Sequence, residues 1–216
     1  MKSFYQQSKI HVKRAVASVA VLLLVTGCVP YATHYFEPSG SGIISGSGMC
    51  NDHVGFPEHG RATLGGHRVI MSVDRDGFYW GSYQRKNRAK PSVFLSIGFN
   101  LKAGQSVTFD PMVVHLTDKS GKELVLIGNP HMAIEKGPFP PWPVLTEAIT
   151  RSSYINTETS PTSVLPIKFY WEFEVTKDMK EFILAPSSAT LSGVDYTLPT
   201  VTFVERFGAS ILPLNC

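Results

Sequence analysis

Residues 164–175, Val-Leu-Pro-Ile-Lys-Phe-Tyr-Trp-Glu-Phe-Glu-Val, decide the fold class of this chain. Apolar and mostly polar side chains alternate along the stretch, and a period of two is typical of a β-strand with one face in a core. The predicted core face consists of Leu165, Ile167, Phe169, Trp171, Phe173 and Val175. The predicted solvent face consists of Lys168, Tyr170, Glu172 and Glu174. The stretch therefore predicts a half-buried strand.

The same period recurs in many other parts of the chain. It is strong in residues 92–101, where one predicted face consists of Val93, Leu95, Ile97, Phe99 and Leu101. Weaker alternation predicts strands at 68–74, 78–84, 106–109, 112–117, 123–127, 181–184 and 197–204. About nine short, closely spaced strands favour an all-β fold, namely an antiparallel β-sandwich with little helix. The single stretch that predicts a short helix is 144–150.

Turns and one long connection separate these strands. Asp74-Arg75-Asp76-Gly77 and Asp118-Lys119-Ser120-Gly121 predict hairpin turns, because each ends in a glycine that can adopt a positive φ. Residues 128–161 form a long proline-rich connection, and residues 138–143 within it favour polyproline II. Phe139 and Trp142 are candidate partner-binding residues there. The alternative is that their rings cover an open end of the sandwich.

The amino terminus has the organisation of an export signal. Residues 1–14 carry four basic residues and no acid, and residues 15–25 are an apolar run of eleven. As a helix this run reaches only about 17 Å, whereas a hydrocarbon core is about 30 Å thick. A permanent transmembrane span is therefore not expected from this segment.

Val25-Thr26-Gly27-Cys28, at the end of the apolar run, resembles the lipobox of bacterial lipoproteins. The resemblance covers the leader only, and it implies removal of residues 1–27 and acylation of Cys28. Several acyl chains hold a protein firmly on a membrane. Val29, in place of the aspartate of the enteric sorting rule, favours the outer membrane if the organism has two. The alternative is an ordinary signal peptide in which Cys28 is incidental.

The remaining chain predicts a tether followed by one domain. Residues 28–49 are rich in Gly and Ser near their end and predict a flexible tether, which leaves 50–216 as a single β-sandwich domain. The leader holds four of the 20 Lys and Arg and none of the 17 Asp and Glu, so the mature chain has a net charge of about −1. A nucleic-acid partner is not expected at that charge.

The two other cysteines, Cys50 and Cys216, predict a disulfide, because an exported protein meets oxidising conditions. Since Cys28 is assigned to lipid, these two form an even pair. The alternative is two free or buried thiols.

Two polar clusters are candidates for chemistry or binding. The first lies in residues 51–67 and contains Asp52, His53, His59 and His67. Imidazole and carboxylate groups suit Zn²⁺, which makes the three histidines weak metal candidates, although no paired ligand motif is present and solvated surface histidines are the alternative. The second cluster is a basic run that could meet anionic lipid head groups or acidic glycans, or could be a solvated loop. It comprises Arg85, Lys86, Arg88 and Lys90.

These patterns favour a membrane-anchored envelope lipoprotein with a non-enzymatic domain that binds or scaffolds an envelope protein or glycan, and no cofactor is expected. The alternative is an envelope-acting hydrolase, metal-dependent in one version, that uses Asp52, His53, His59 and His67. A structural role through self-association is a third hypothesis. An enzyme should show a pocket with converging titratable groups, whereas a scaffold should expose an apolar patch.

Overall fold

The computed structural model describes residues 28–46, 59–75, 91–102, 104–134, 144–148, 153–156 and 165–213. These ranges contain fifteen strands and one short 3-10 helix, Pro111–Val113. The strands are β1 (Cys28–Ser39), β2 (Ile44–Gly46), β3 (His59–Leu64), β4 (His67–Asp74), β5 (Ser92–Leu101), β6 (Ser106–Phe109), β7 (Leu116–Asp118), β8 (His131–Ile134), β9 (Val144–Ala148), β10 (Ser153–Asn156), β11 (Leu165–Glu174), β12 (Glu181–Leu184), β13 (Ser188–Leu191), β14 (Val194–Thr197) and β15 (Val201–Pro213). In the described ranges no helix is long and apolar enough to cross a membrane.

The strands form three antiparallel sheets. The largest has seven strands in the order β2-β3-β4-β5-β11-β8-β9, and two four-stranded sheets have the orders β1-β15-β12-β7 and β10-β6-β13-β14. The prediction of an all-β, sandwich-like antiparallel fold is confirmed. The predicted number of about nine strands is too low, because many of the fifteen strands are only three or four residues long and carry little alternation of their own.

Aromatic rings join the layers. Phe109 of β6 lies 5.3 Å from Phe99 of β5 and 5.0 Å from Phe169 of β11, measured between ring centroids. The Trp171 ring lies 6.2 Å from that of Phe109, and its Nε1 donates to the carbonyl oxygen of Pro111 at 2.8 Å. The alternating apolar residues of β11 and β5 thus form the core that the sequence predicts.

Glycines with positive φ form two of the turns. Gly65 and Gly66, which connect β3 to β4, both have positive φ, 55° and 83°, as a two-residue hairpin turn requires. A Cβ at Gly65 would clash with the Tyr196 hydroxyl of β14. The predicted turn at Asp118 is confirmed, since the Asp118 N–H donates to the carbonyl of Lys122 at 2.9 Å and Gly121 has a φ of 83°.

Several predicted elements differ in the structure. The helix predicted at 144–150 is wrong, because Val144–Ala148 is strand β9, an edge strand paired with β8. Of the strand predicted at 112–117, only Leu116 and Thr117 belong to a strand, β7, because Pro111 starts a 3-10 helix that Asp110 caps. Residues 123–127 contribute isolated bridges rather than a strand. Residues 78–84 and the turn residues 76–77 lie outside the described ranges.

The flexible tether predicted for residues 28–49 differs most from the structure. Cys28–Ser39 is strand β1, which pairs residue by residue with β15 from Cys28 opposite Pro213 to Ser39 opposite Thr202. β15 pairs with β12 along one edge, over Val201–Val204 only. Along its other edge, β1 satisfies the backbone N–H and C=O groups of β15. The Gly- and Ser-rich part that comes after β1 forms a turn at Gly40 to Gly42 and then the short strand β2.

Candidate functional site

The structure places three of the residues singled out in the sequence. Cys28 is the first residue of β1, His59 the first of β3 and His67 the first of β4. The others lie outside the described residues, so their roles stay predictions. They are Cys50, Asp52, His53, Arg85, Lys86, Arg88, Lys90, Phe139, Trp142 and Cys216.

His59 and His67 do not share a site. His59 pairs with Ser72 across β3 and β4, and Ser72 is five residues along β4 from His67, which is about 16 Å. An odd separation also puts the two histidines on opposite faces of the seven-stranded sheet, with His67 on the core face beside Val69. His59 and His67 therefore do not lie together in one site, while Asp52 and His53 of the predicted cluster are outside the described residues.

The Cys50–Cys216 disulfide stays a prediction, because both cysteines lie outside the described residues.

A polar row crosses the outer face of the seven-stranded sheet, on the side away from the core. Strand register places one residue from each of five neighbouring strands in line, namely His59, Ser72, Ser96, Tyr170 and His131. The Ser72 and Ser96 hydroxyls are hydrogen-bonded at 2.7 Å. Tyr170 is only 2% exposed, although the sequence predicts it on a solvent face. We call these five residues the polar row.

The histidines of the polar row are neutral near pH 7. Burial, together with the nearby cations Lys168, Arg61 and Arg68, lowers the pKa of His59 from 6.5 to about 4. Burial also lowers the pKa of His131. An imidazole with a pKa near 4 is a weak proton acceptor at neutral pH, so the row suits hydrogen bonding better than general acid–base catalysis.

An exposed apolar surface lies between β6 and β8. Four of the seven large hydrophobic residues that are exposed in the described ranges belong to this one connection, which we call the apolar loop surface. They are Met112, Val113, Val125 and Ile127. Both ends of the connection are fixed to β11, through the hydrogen bond between Trp171 and Pro111 and through the bridge between Leu126 and Phe173. The connection that carries the exposed side chains is thus attached to β11 near both of its ends.

The third surface is the far part of the β1–β15 pair, Cys28–Tyr35 with Arg206–Pro213, which we call the distal ribbon. β12 pairs only with Val201–Val204, so it ends before this part begins. Phe207 is 69% exposed, and its ring centroid lies 5.3 Å from that of His34. The Arg206 guanidinium contacts the Glu37 carboxylate at 3.0 Å and marks the boundary with the core.

Sequence reasoning missed all three surfaces, because each depends on register or on where a neighbouring strand ends. The polar row in particular gathers residues from five strands that are up to 111 positions apart in the chain, from His59 to Tyr170. Comparisons with protein-family models, with curated proteins and with solved structures find no match to this chain.

Proposed function

We propose that this protein is a membrane-anchored envelope lipoprotein whose all-β domain is a non-enzymatic binding or scaffolding module for another envelope component. The observation that carries the proposal is the position of Cys28. The residue that ends the lipobox-like sequence is also the first residue of β1, opposite Pro213. Acyl chains on Cys28 would therefore be joined to the domain through paired β-structure, with no flexible linker between them.

The apolar loop surface supports the binding part of the proposal. Four exposed apolar side chains in one connection make it a candidate contact surface for another protein. Val125 is 66% exposed although it follows the buried Leu124 directly, so alternation along a fixed segment directs it outwards. A protein partner in the envelope fits this surface better than a highly hydrated glycan does.

The leader supports a location in the bacterial cell envelope. If the organism has two membranes, Val29 next to Cys28 favours the outer one. The hydrolase alternative has less support, because His59 and His67 lie on opposite faces of one sheet.

Substitution of Cys28 tests the anchor. We expect the wild-type protein in the membrane fraction, with an amino-terminal peptide that carries the mass of diacylglyceryl and acyl groups. Cys28→Ser should move the protein to the soluble fraction, whereas the matched control Cys50→Ser should leave it on the membrane. A Cys28→Ser protein that stays on the membrane, or a wild-type peptide without lipid mass, would contradict the proposal.

Substitution of Val125 tests the binding surface. Crosslinking of the lipidated protein in its own envelope, followed by purification, should capture a partner. Val125→Asp should reduce that capture at least several-fold, while Val194→Asp, at a site of similar exposure on β14, should not. Equal capture by both variants would remove the apolar loop surface from the interface.

A further inference from the structure

We propose that the distal ribbon is itself a membrane-contacting surface, which lies in the head-group region of the lipid layer that holds the acyl chains of Cys28. The inference rests on the proposed lipidation and goes beyond it, since it assigns a second point of contact at Phe207. It also predicts a fixed orientation of the domain on the membrane.

The first argument is geometric. The Glu205 N–H donates to the carbonyl oxygen of Lys180 at 2.7 Å, and this is the last described backbone contact of β15 with the segment before β12. Beyond Glu205, the described partner of β15 is β1. From Tyr35 to Cys28 the distal ribbon then extends seven residues, which is about 23 Å. Cys28 and Pro213 stand together at its end, so both strands reach the point of lipid attachment.

The second argument is chemical. The two strands carry no Asp, Glu, Lys or Arg in residues 28–33 and 207–213. Charged groups are costly in contact with lipid, whereas aromatic residues favour the interface between lipid and water, and the β1 part of the distal ribbon includes Tyr31 and Tyr35. The ion pair between Arg206 and Glu37 lies where the uncharged part ends, on the side of the core.

The third argument is the position of Phe207. On β15, Phe203 is fully buried, and Phe207 lies four positions further along on the same face of the strand. The core-facing side of β15 thus continues past the core as a face on which Phe207 is 69% exposed. Among surfaces that could cover this face, the lipid layer is favoured, because the same ribbon ends at the predicted lipidation site.

Tryptophan fluorescence tests the contact. The lipidated full-length protein is reconstituted into phosphatidylethanolamine and phosphatidylglycerol vesicles that contain phospholipids brominated near the head group. Phe207→Trp is compared with the control Val194→Trp, and the quenching of the wild-type tryptophans is subtracted. We expect the emission of Trp at position 207 to be quenched at least two-fold more than that at position 194 and to shift to shorter wavelength. Equal quenching at both positions would overturn the inference.

Two readouts separate this inference from the proposed function. An acylated protein that floats with the vesicles but shows no extra quenching at position 207 overturns the membrane contact alone. A protein without lipid mass that does not float overturns the proposed anchor and the inference together. A blue shift at position 207 that grows with protein concentration and is insensitive to brominated lipid would identify a second copy as the occupant, which also overturns the inference. Unchanged melting temperatures of both variants confirm that they are folded.

Discussion

The seven-stranded sheet and the distal ribbon share antiparallel strand pairing but have opposite surroundings. In the sheet, β5 and β11 have strands on both sides, and part of their outer face is buried as well, as Phe94 and Tyr170 show. In the distal ribbon, no third strand of the described residues pairs with β15, and Phe207 is exposed. Apolar strand residues are therefore buried in the seven-stranded sheet and accessible in the distal ribbon, because the neighbouring strand β12 ends before the ribbon begins.

A matched pair of phenylalanine substitutions gives the largest expected contrast. Phe169→Ala removes a fully buried ring that contacts Phe99 and Phe109, and we expect a loss of about 3–5 kcal/mol in the free energy of unfolding. Phe207→Ala should change it by less than about 0.5 kcal/mol, because the ring is exposed. Urea denaturation of the two variants and of the wild-type protein measures both values. Similar losses in the two variants would show that Phe207 is covered in solution.

Acid should destabilise the sheet through the polar row. The folded-state pKa of His59 is about 4 against an ordinary 6.5, so between these pH values the unfolded chain binds a proton that the folded protein does not. Stability is therefore present above pH 6.5 and falls as the pH drops towards 4, by about 3 kcal/mol at most. Chemical denaturation at pH 7.5 and pH 4.5 measures the loss.

His59→Gln should remove most of that pH-dependent loss, and His131→Gln a smaller part, because burial lowers the pKa of His131 in the same direction. His34→Gln is the control from the distal ribbon, where the side chain is 68% exposed. An equal pH dependence in the wild-type and His59→Gln proteins would show that His59 is not the responsible group.

The sequence predicts the sheet much better than the ribbon, for a physical reason. Alternation in residues 164–175 specifies a buried face, and the structure buries Ile167, Phe169 and Trp171 as expected. Residues 28–39 contain two prolines and little alternation, and their strand depends on the free edge of β15, which begins 173 positions after Cys28. Such long-range pairing leaves no local pattern in the sequence.

The candidate surfaces were less predictable still. Alternation places Tyr170 on the outer face, but it does not show that Tyr170 is buried there. Likewise, the spacing of His59 and His67 suggests one cluster, whereas the hairpin at Gly65 puts them on opposite faces.

The hydroxyl pair of the polar row predicts an intermediate effect. Ser72 and Ser96 are hydrogen-bonded at 2.7 Å in a part-buried position, so Ser72→Ala leaves the Ser96 hydroxyl without this partner. We expect each single alanine variant to lose about 1 kcal/mol and the double variant to lose less than the sum of the two. A double-mutant cycle from denaturation curves measures the coupling. Strictly additive losses would mean that the two hydroxyls do not depend on each other.

The ion pair at the base of the distal ribbon predicts the smallest effect. The Arg206 and Glu37 side chains are 53% and 38% exposed, so water screens their attraction, and Arg206→Ala should cost only about 0.2–1 kcal/mol. The loss should shrink in about 1 M salt, where the screening length is about 3 Å, while the Ser72–Ser96 coupling should not change. Denaturation curves at low and high salt make the comparison. A salt-independent loss above about 2 kcal/mol would mean that the base of the ribbon is buried, and would contradict the contrast with the sheet.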